Sequence, residues 1–282
     1  MNILTFDIEE WFHILDNSST KTINEWSHFE SRIHANLDRI LLLLEKADQR
    51  ATFFCLSWIA ETYPEIIRQI VDRGYEIGSH TRMHQLVYEQ TPEEFRNDVE
   101  HSIKTLEDIS GKKVKYFRAP GFSITEQTKW ALEILVELGI QIDSSIFPAQ
   151  RSHGGFPSYK EPYPSIIKYN GIEIKELPIN YVSILGEPVI FSGGGYFRLF
   201  PYAVVKHWTK NSNYVMTYLH PRDFDPGQPV IRDLNMLRKF KSYVGLKSSA
   251  NKFIRWQNDF KFIDIQTADK IIDWDNVPKI II

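Results

Sequence analysis

Four short clusters in this sequence carry residue types that could do chemistry together. The first is Asp7-Ile8-Glu9-Glu10, directly after the apolar run Ile3-Leu4-Thr5-Phe6. Side chains on a strand alternate faces, so Asp7 and Glu9 point one way and Ile8 the other. Two carboxylates on one face repel unless a cation or a shared proton sits between them. A solvated acidic turn is the competing reading. The second cluster is His80-Thr81-Arg82-Met83-His84, following Gly78-Ser79. Two histidines four apart on a helical turn share a face and can chelate one metal ion, whereas two surface histidines are the plainer alternative. The third is Arg118-Ala119-Pro120-Gly121-Phe122. An arginine at a strand end can fork onto a carboxylate. The Pro-Gly turn exposes backbone N–H groups near Gly121 or Phe122 that could hold a developing oxyanion. The fourth is Leu219-His220-Pro221, whose histidine could protonate a leaving amine near neutral pH.

Each cluster follows a segment that reads as a strand, the edge at which parallel α/β folds bind ligands. Strands are expected at 2–6, 51–56, 75–77, 114–117, 140–143, 215–219 and 260–263. Helices are expected at 33–44, 64–73, 125–138, 201–209, 231–243 and 250–257, and from Thr91 to about 109 behind a Pro-Glu-Glu first turn. This β-α order predicts a parallel sheet or barrel with helices outside. Residues 150–199 are rich in Gly, Pro and Tyr and read as a β-rich insertion, with strand-like pieces at 166–169, 172–176 and 189–191. No linker-like stretch divides the chain, so residues 1–282 are expected to form a single domain.

Composition narrows the function classes. A net charge of -3 and a pI near 6.3 give no reason to expect nucleic acid as a partner. Cys55 is the single cysteine, so a metal would have to sit on histidines and carboxylates. No run of about 18 apolar residues could span a membrane. The start of the chain lacks the pattern of a secretory signal, so a cytoplasmic location is expected.

Taken in order, TFDIEE, HTRMH, RAPGF and YLH resemble the motifs of the polysaccharide deacetylase family, carbohydrate esterase family four, over roughly residues 3–225. DIEEWFH, SGGGYFRLFPY and HPRDFDP look like a subgroup associated with exosortase, exopolysaccharide and surface-polysaccharide systems. The resemblance implies a distorted (β/α) barrel with fewer than eight regular strands. It implies a divalent metal, Zn²⁺ in the first instance, on Glu9, His80 and His84. Asp7 would be the base, Arg118 its orienting partner and His220 the acid. Where many members have an Asp-Trp pair supporting that histidine, this chain has Asp143-Ser144-Ser145-Ile146-Phe147. Asp143, Asp223 and Asp225 are therefore all candidates to orient His220. Trp11, His13, Arg198 and Arg222 are candidate substrate contacts, with core packing at the barrel rim the competing role for the first two. Gly193-Gly194-Gly195 could be a substrate loop or a flexible turn. The implied activity is hydrolysis of the N-acetyl group of an amino sugar, in a polymer or in a nucleotide- or lipid-linked precursor. Hydrolysis of a small ureide-like amide at the same site, or sugar binding without catalysis, are the alternatives.

Overall fold

The apolar runs of the first half become short parallel strands, buried on both faces as continuous hydrophobic strands should be. The computed structural model describes residues 1–15, 17–150 and 154–282. Its strands are β1 (Asn2–Ile3), β2 (Thr5–Ile8), β3 (Thr52–Cys55), β4 (Glu76–Ser79), β5 (Tyr116–Phe117), β6 (Ile142–Asp143), β7 (Ser165–Tyr169), β8 (Ile172–Glu176), β9 (Val182–Ile184), β10 (Glu187–Val189), β11 (Val215–Met216) and β12 (Lys279–Ile281). The main sheet runs β12-β7-β8-β6-β5-β4-β3-β2. From β2 to β8 every neighbouring pair is parallel. Beyond β2 the sheet continues through a parallel bridge between Phe6 and Leu219, and β11 pairs with β1.

This curled sheet is a distorted barrel that the strand ladders leave open. Between β8 and β11, the described residues are joined by side chains: Met216 N donates to Asn180 Oδ1 at 2.9 Å and Tyr214 Oη to Pro178 O at 2.8 Å. Helices cover the outside. Ile33–Ala47 buries Ile33, Leu37, Ile40, Leu41 and Leu44 on one stripe. Pro92–Ser110 starts on a Thr91–Glu94 capping box and stops at Gly111, whose φ of 66 a left-handed helix cap requires.

Several expected boundaries move. The helix expected at 125–138 is Trp130–Glu137, because Thr125 N donates to Thr128 Oγ1 in a turn that replaces its start. The helix expected at 231–243 begins at Met236, where the Asn235 side chain caps Arg238 N. The strand expected at 260–263 shrinks to a bridge between Ile3 and Ile263. The stretch 150–199 contains a hairpin that joins the main sheet. The left-handed turn Asn170-Gly171 folds β7 onto β8, and β8 is a full member of the main sheet. Residues 151–153 of that stretch lie outside the described residues. Gly194 and Gly195 open the helix Gly194–Leu199 rather than a flexible loop.

Candidate active site

Pairing of β2 decides where the acids go. Asp7 N donates to Leu219 O at 2.8 Å, so His220, the next residue, emerges beside Asp7. Ile8 points into the core, while Asp7 and Glu9 are 3% and 5% exposed at the barrel mouth. Glu10 takes a different task. Its Oε1 accepts from Arg32 N and Ile33 N at 2.9 and 3.1 Å, capping the first turn of Ile33–Ala47.

Arg118 follows β5 and is fully buried. Its Nη1 donates to Asp7 Oδ1 and Thr5 Oγ1, both at 2.8 Å, and its Nη2 to Ser144 Oγ at 2.9 Å. Its guanidinium lies 4.3 Å from the centre of the Phe54 ring. The result is an Asp7 carboxylate with one oxygen held and Oδ2 directed toward His220 Nε2, 3.7 Å away.

The 80–84 segment is not the helical turn that its spacing suggested. Thr81 and His84 have φ of 70 and 54, left-handed values that a continuous helical turn does not allow. The loop's bends are secured by Ser57 N donating to Thr81 O at 3.0 Å and Arg82 N to Asp98 Oδ2 at 2.8 Å. The loop nevertheless converges both imidazoles on Glu9: ligand atoms of Glu9, His80 and His84 all lie within 4.8 Å of one another. His80 Nδ1 donates to Arg118 O at 2.7 Å, which leaves Nε2 with its lone pair toward the cluster. Burial lowers the His80 pKa to about 4, despite the neighbouring Asp7, so the ring stays neutral and able to ligate. Glu9 Oε2 approaches His84 Nε2 at 2.7 Å yet is a buried oxygen without a hydrogen-bond partner among the described residues. Burial pushes the Glu9 carboxyl up, but His84, His220 and His80 together hold it well below the usual carboxylate range. Two imidazoles and one anionic oxygen on such a radius fit a borderline divalent cation such as zinc, with positions left open.

His220 closes the site. Its Nε2 is 3.7 Å from Asp7 and 3.8 Å from Glu9 Oε1, and its Nδ1 is 3.1 Å from Asp223 Oδ2. Asp223 Oδ1 in turn accepts from Arg198 Nε at 2.9 Å. Burial disfavours the imidazolium, but Glu9, Asp223 and Asp7 outweigh it and raise the His220 pKa to about 9. Of the three candidates to orient His220, Asp223, three residues on, is the one within hydrogen-bond distance of it. Asp225 is taken by Arg32, which donates Nη2 to Oδ1 at 3.0 Å. Asp143 is fully buried against Glu176 and accepts from Ser145 Oγ.

Two of the expected substrate contacts, Trp11 and Arg198, are committed to partners within the fold. Trp11 is 3% exposed, donates Nε1 to Glu30 O and packs edge-on against Phe12 and Phe29, so it has no free face for a sugar. Arg198 spends its remaining donors on Val244 O and Lys241 O and serves Asp223 instead of a ligand. Phe122 N closes a turn onto Ala119 O at 3.1 Å, so that N–H is committed and Gly121 is the better-suited of the two oxyanion candidates. His13 Nε2 and Arg222 Nη2 are buried atoms without partners among the described residues. His13 lies 6.0 Å from His84, ring centre to ring centre, and both line a cavity of about 260 Å³.

Comparison with known proteins divides the chain in two. Residues 16–142 match the family model described as polysaccharide deacetylase, and residues 144–270 match a domain of unknown function (DUF3473). His80, His84 and Arg118 fall in the first match and His220 and Asp223 in the second, while Asp7 and Glu9 precede both. Over 96 residues the chain is 35% identical to a peptidoglycan-N-acetylglucosamine deacetylase of Bacillus cereus, covering 34% of this chain and 35% of that protein. It is 36% identical over 87 residues to chitin deacetylase 1 of Saccharomyces cerevisiae, covering 31% and 29%. The aligned segments span about a third of the length of these curated relatives. Among solved structures, a candidate polysaccharide deacetylase from Mycobacterium smegmatis superposes with a TM-score of 0.65 at 19% identity, over 98% of this chain and 91% of that one. A CE4 family pseudoenzyme from Bacillus anthracis gives 0.51 at 14% identity, over 95% and 64%. These two likenesses are of fold.

Proposed function

On the premise that residues 16–142 are polysaccharide deacetylase sequence, we propose that this protein is a metal-dependent N-deacetylase of an amino sugar. The observation that carries the reading is the pairing of a base and an acid, Asp7 and His220, across the Glu9–His80–His84 cluster. A divalent cation held by Glu9, His80 and His84 would polarise the acetyl carbonyl and make an attacking water acidic. Asp7, steadied by Arg118, accepts the proton of that water through Oδ2. The backbone at Gly121 offers an N–H to the developing oxyanion. His220, held by Asp223, gives its Nε2 proton to the departing amine as the C–N bond breaks. Acetate and a free amino sugar leave.

The SGGGYFRLFPY segment supplies Arg198 and HPRDFDP supplies His220 and Asp223, so the segments that resemble exopolysaccharide-associated deacetylases build one side of the acid's support. This favours a surface- or exopolysaccharide sugar, or its precursor, as substrate. The test is acetate release from a panel of N-acetyl sugars by metal-loaded protein, with Asp7→Asn and His220→Ala beside it. Asp7→Asn should keep metal and lose about 10²–10⁴ in rate. His220→Ala should lose far more on an N-acetyl sugar than on an aryl acetate, whose phenolate leaves without a proton. Release of ammonia or a ureide product but no acetate would refute the reading, as would equal His220→Ala losses on both substrates with metal retained.

A further inference from the structure

The face next to His220 exposes apolar side chains that the fold does not use. The helix Met236–Tyr243 buries none of its residues: Met236 is 84% exposed, Leu237 63% and Phe240 54%. Opposite it, across a groove of about 540 Å³, stands the β9–β10 hairpin. The groove is lined by Pro188, Ile190, Leu237 and Phe240, and by Tyr218. The Tyr218 ring is 5.9 Å from that of His220. At the tip of the hairpin, Leu185 is completely exposed and has a φ of 52. Asn or Gly ordinarily fills such a turn, because a branched side chain is strained in the left-handed region. A leucine there gains no packing in return.

The charge around this apolar face says what kind of partner it fits. Residues 230–247 carry Arg232, Arg238, Lys239, Lys241 and Lys247 against the single acid Asp233, in a chain whose net charge is -3. A second copy docking by two-fold symmetry would set this basic patch against itself. An anionic surface into which apolar side chains can sink satisfies both features, and an exposed helix with Leu and Phe among Lys and Arg is the usual element for it. We propose that the helix Met236–Tyr243 and the Leu185 hairpin tip dock this protein on an anionic lipid bilayer. The groove then opens at the plane of the membrane. On the deacetylase reading, an amino sugar carried on a lipid would reach His220 without leaving that plane.

Vesicle flotation of the full chain tests the docking. Large vesicles of phosphatidylcholine with phosphatidylglycerol should bind the protein and pure phosphatidylcholine vesicles should not, with binding falling as salt rises. Lys239→Ala with Lys241→Ala should weaken binding about 30-fold, since each cation near an anionic surface contributes about a factor of five. Leu185→Asn with Leu237→Ser and Phe240→Ser should abolish it without lowering the melting temperature, because all three side chains are exposed and Asn suits the left-handed turn. No binding to either vesicle, or binding that neither set of substitutions alters, overturns the proposal. So does a dimer in light scattering that the Leu237→Ser/Phe240→Ser protein loses, which would assign the face to a second copy. Flotation requires no turnover, so its failure would leave acetate release intact, and a protein without deacetylase activity could still dock.

Discussion

At the scale of single residues, the site depends on how each charge is held. Glu9 and Asp7 are two residues apart, yet one is drawn to imidazoles and the other to a buried guanidinium. His220 is the group whose state is set most visibly by neighbours. In the metal-free protein its pKa is about 9 against an unfolded value of about 6.5. A histidine whose pKa rises on folding stabilises fully below the unfolded value, and that contribution disappears as pH climbs through the folded one. Melting temperature of the metal-free protein should therefore decline between about pH 6.5 and pH 9 from this group. Asp223→Asn removes one of the anions and should move the decline to lower pH, together with the His220 titration seen by NMR. An unchanged His220 titration in Asp223→Asn would show that Asp223 does not set it. Arg198→Met should shift the same titration in a smaller degree, because Arg198 acts only through Asp223.

At the scale of elements, the strand ends do the positioning, and one pair of strands carries an unusual load. Asp143 on β6 and Glu176 on β8 are register partners, both fully buried. Burial raises the Asp143 pKa to about 6, and burial with the charge of Asp143 lifts Glu176 well above the usual range. Both shifts are in the direction expected of two buried carboxyls that share one proton. For a carboxyl whose pKa rises on folding the native state holds more protons, so stability is complete below the unfolded value and falls as pH rises through the folded one. Glu176→Gln places an amide donor where the shared proton lies. It should flatten the fall in melting temperature that sets in above about pH 4 and runs through pH 6, and stabilise at the alkaline end. Glu176→Ala should instead destabilise at every pH, since it leaves a cavity and an unpaired Asp143. A Gln variant that melts below the parent at all pH values would show that the pair holds no shared proton.

At the scale of the whole molecule, the two halves of the chain meet at the barrel mouth. Glu9 comes from the start of the chain, His80 and His84 from the first family match, and the facing His220 from the second. A cation bound by three residues from two distant strand ends is stabilising, because the unfolded chain cannot hold them together. Added zinc at about 1,000 times its dissociation constant should contribute about 4 kcal/mol. At about 2–4 °C per kcal/mol, the melting temperature should then rise by roughly 8–16 °C. His80→Ala and His84→Ala should lose most of that rise and keep the metal-free melting temperature within a few degrees. Equal zinc stabilisation in the parent and both variants would place the metal elsewhere.

Much of this was legible in the sequence for local reasons. Buried apolar runs bounded by polar turns marked most of the strands, and reactive residues directly after a strand must lie at the sheet edge. Asp7, His80, Arg118 and His220 were found that way, as was their meeting at one mouth, because parallel strands carry their C-terminal ends to the same side. Other choices depended on which loops touch. HxxxH spacing suggested a helical turn, but left-handed residues at Thr81 and His84 bring the two rings together by another path. Nothing local could say that Asp223, rather than Asp143 or Asp225, would hold His220. Asp225 is claimed by Arg32, 193 residues away in sequence, and Asp143 by a strand pairing with β8. Arg198 was a candidate substrate contact because it follows Gly193-Gly194-Gly195, a possible substrate loop. Burial beneath the helix Met236–Tyr243 turned it into the support of Asp223. Spacing along a chain determines which side chains share a strand face, whereas the partner of a buried charge is decided by the packing that removes it from water.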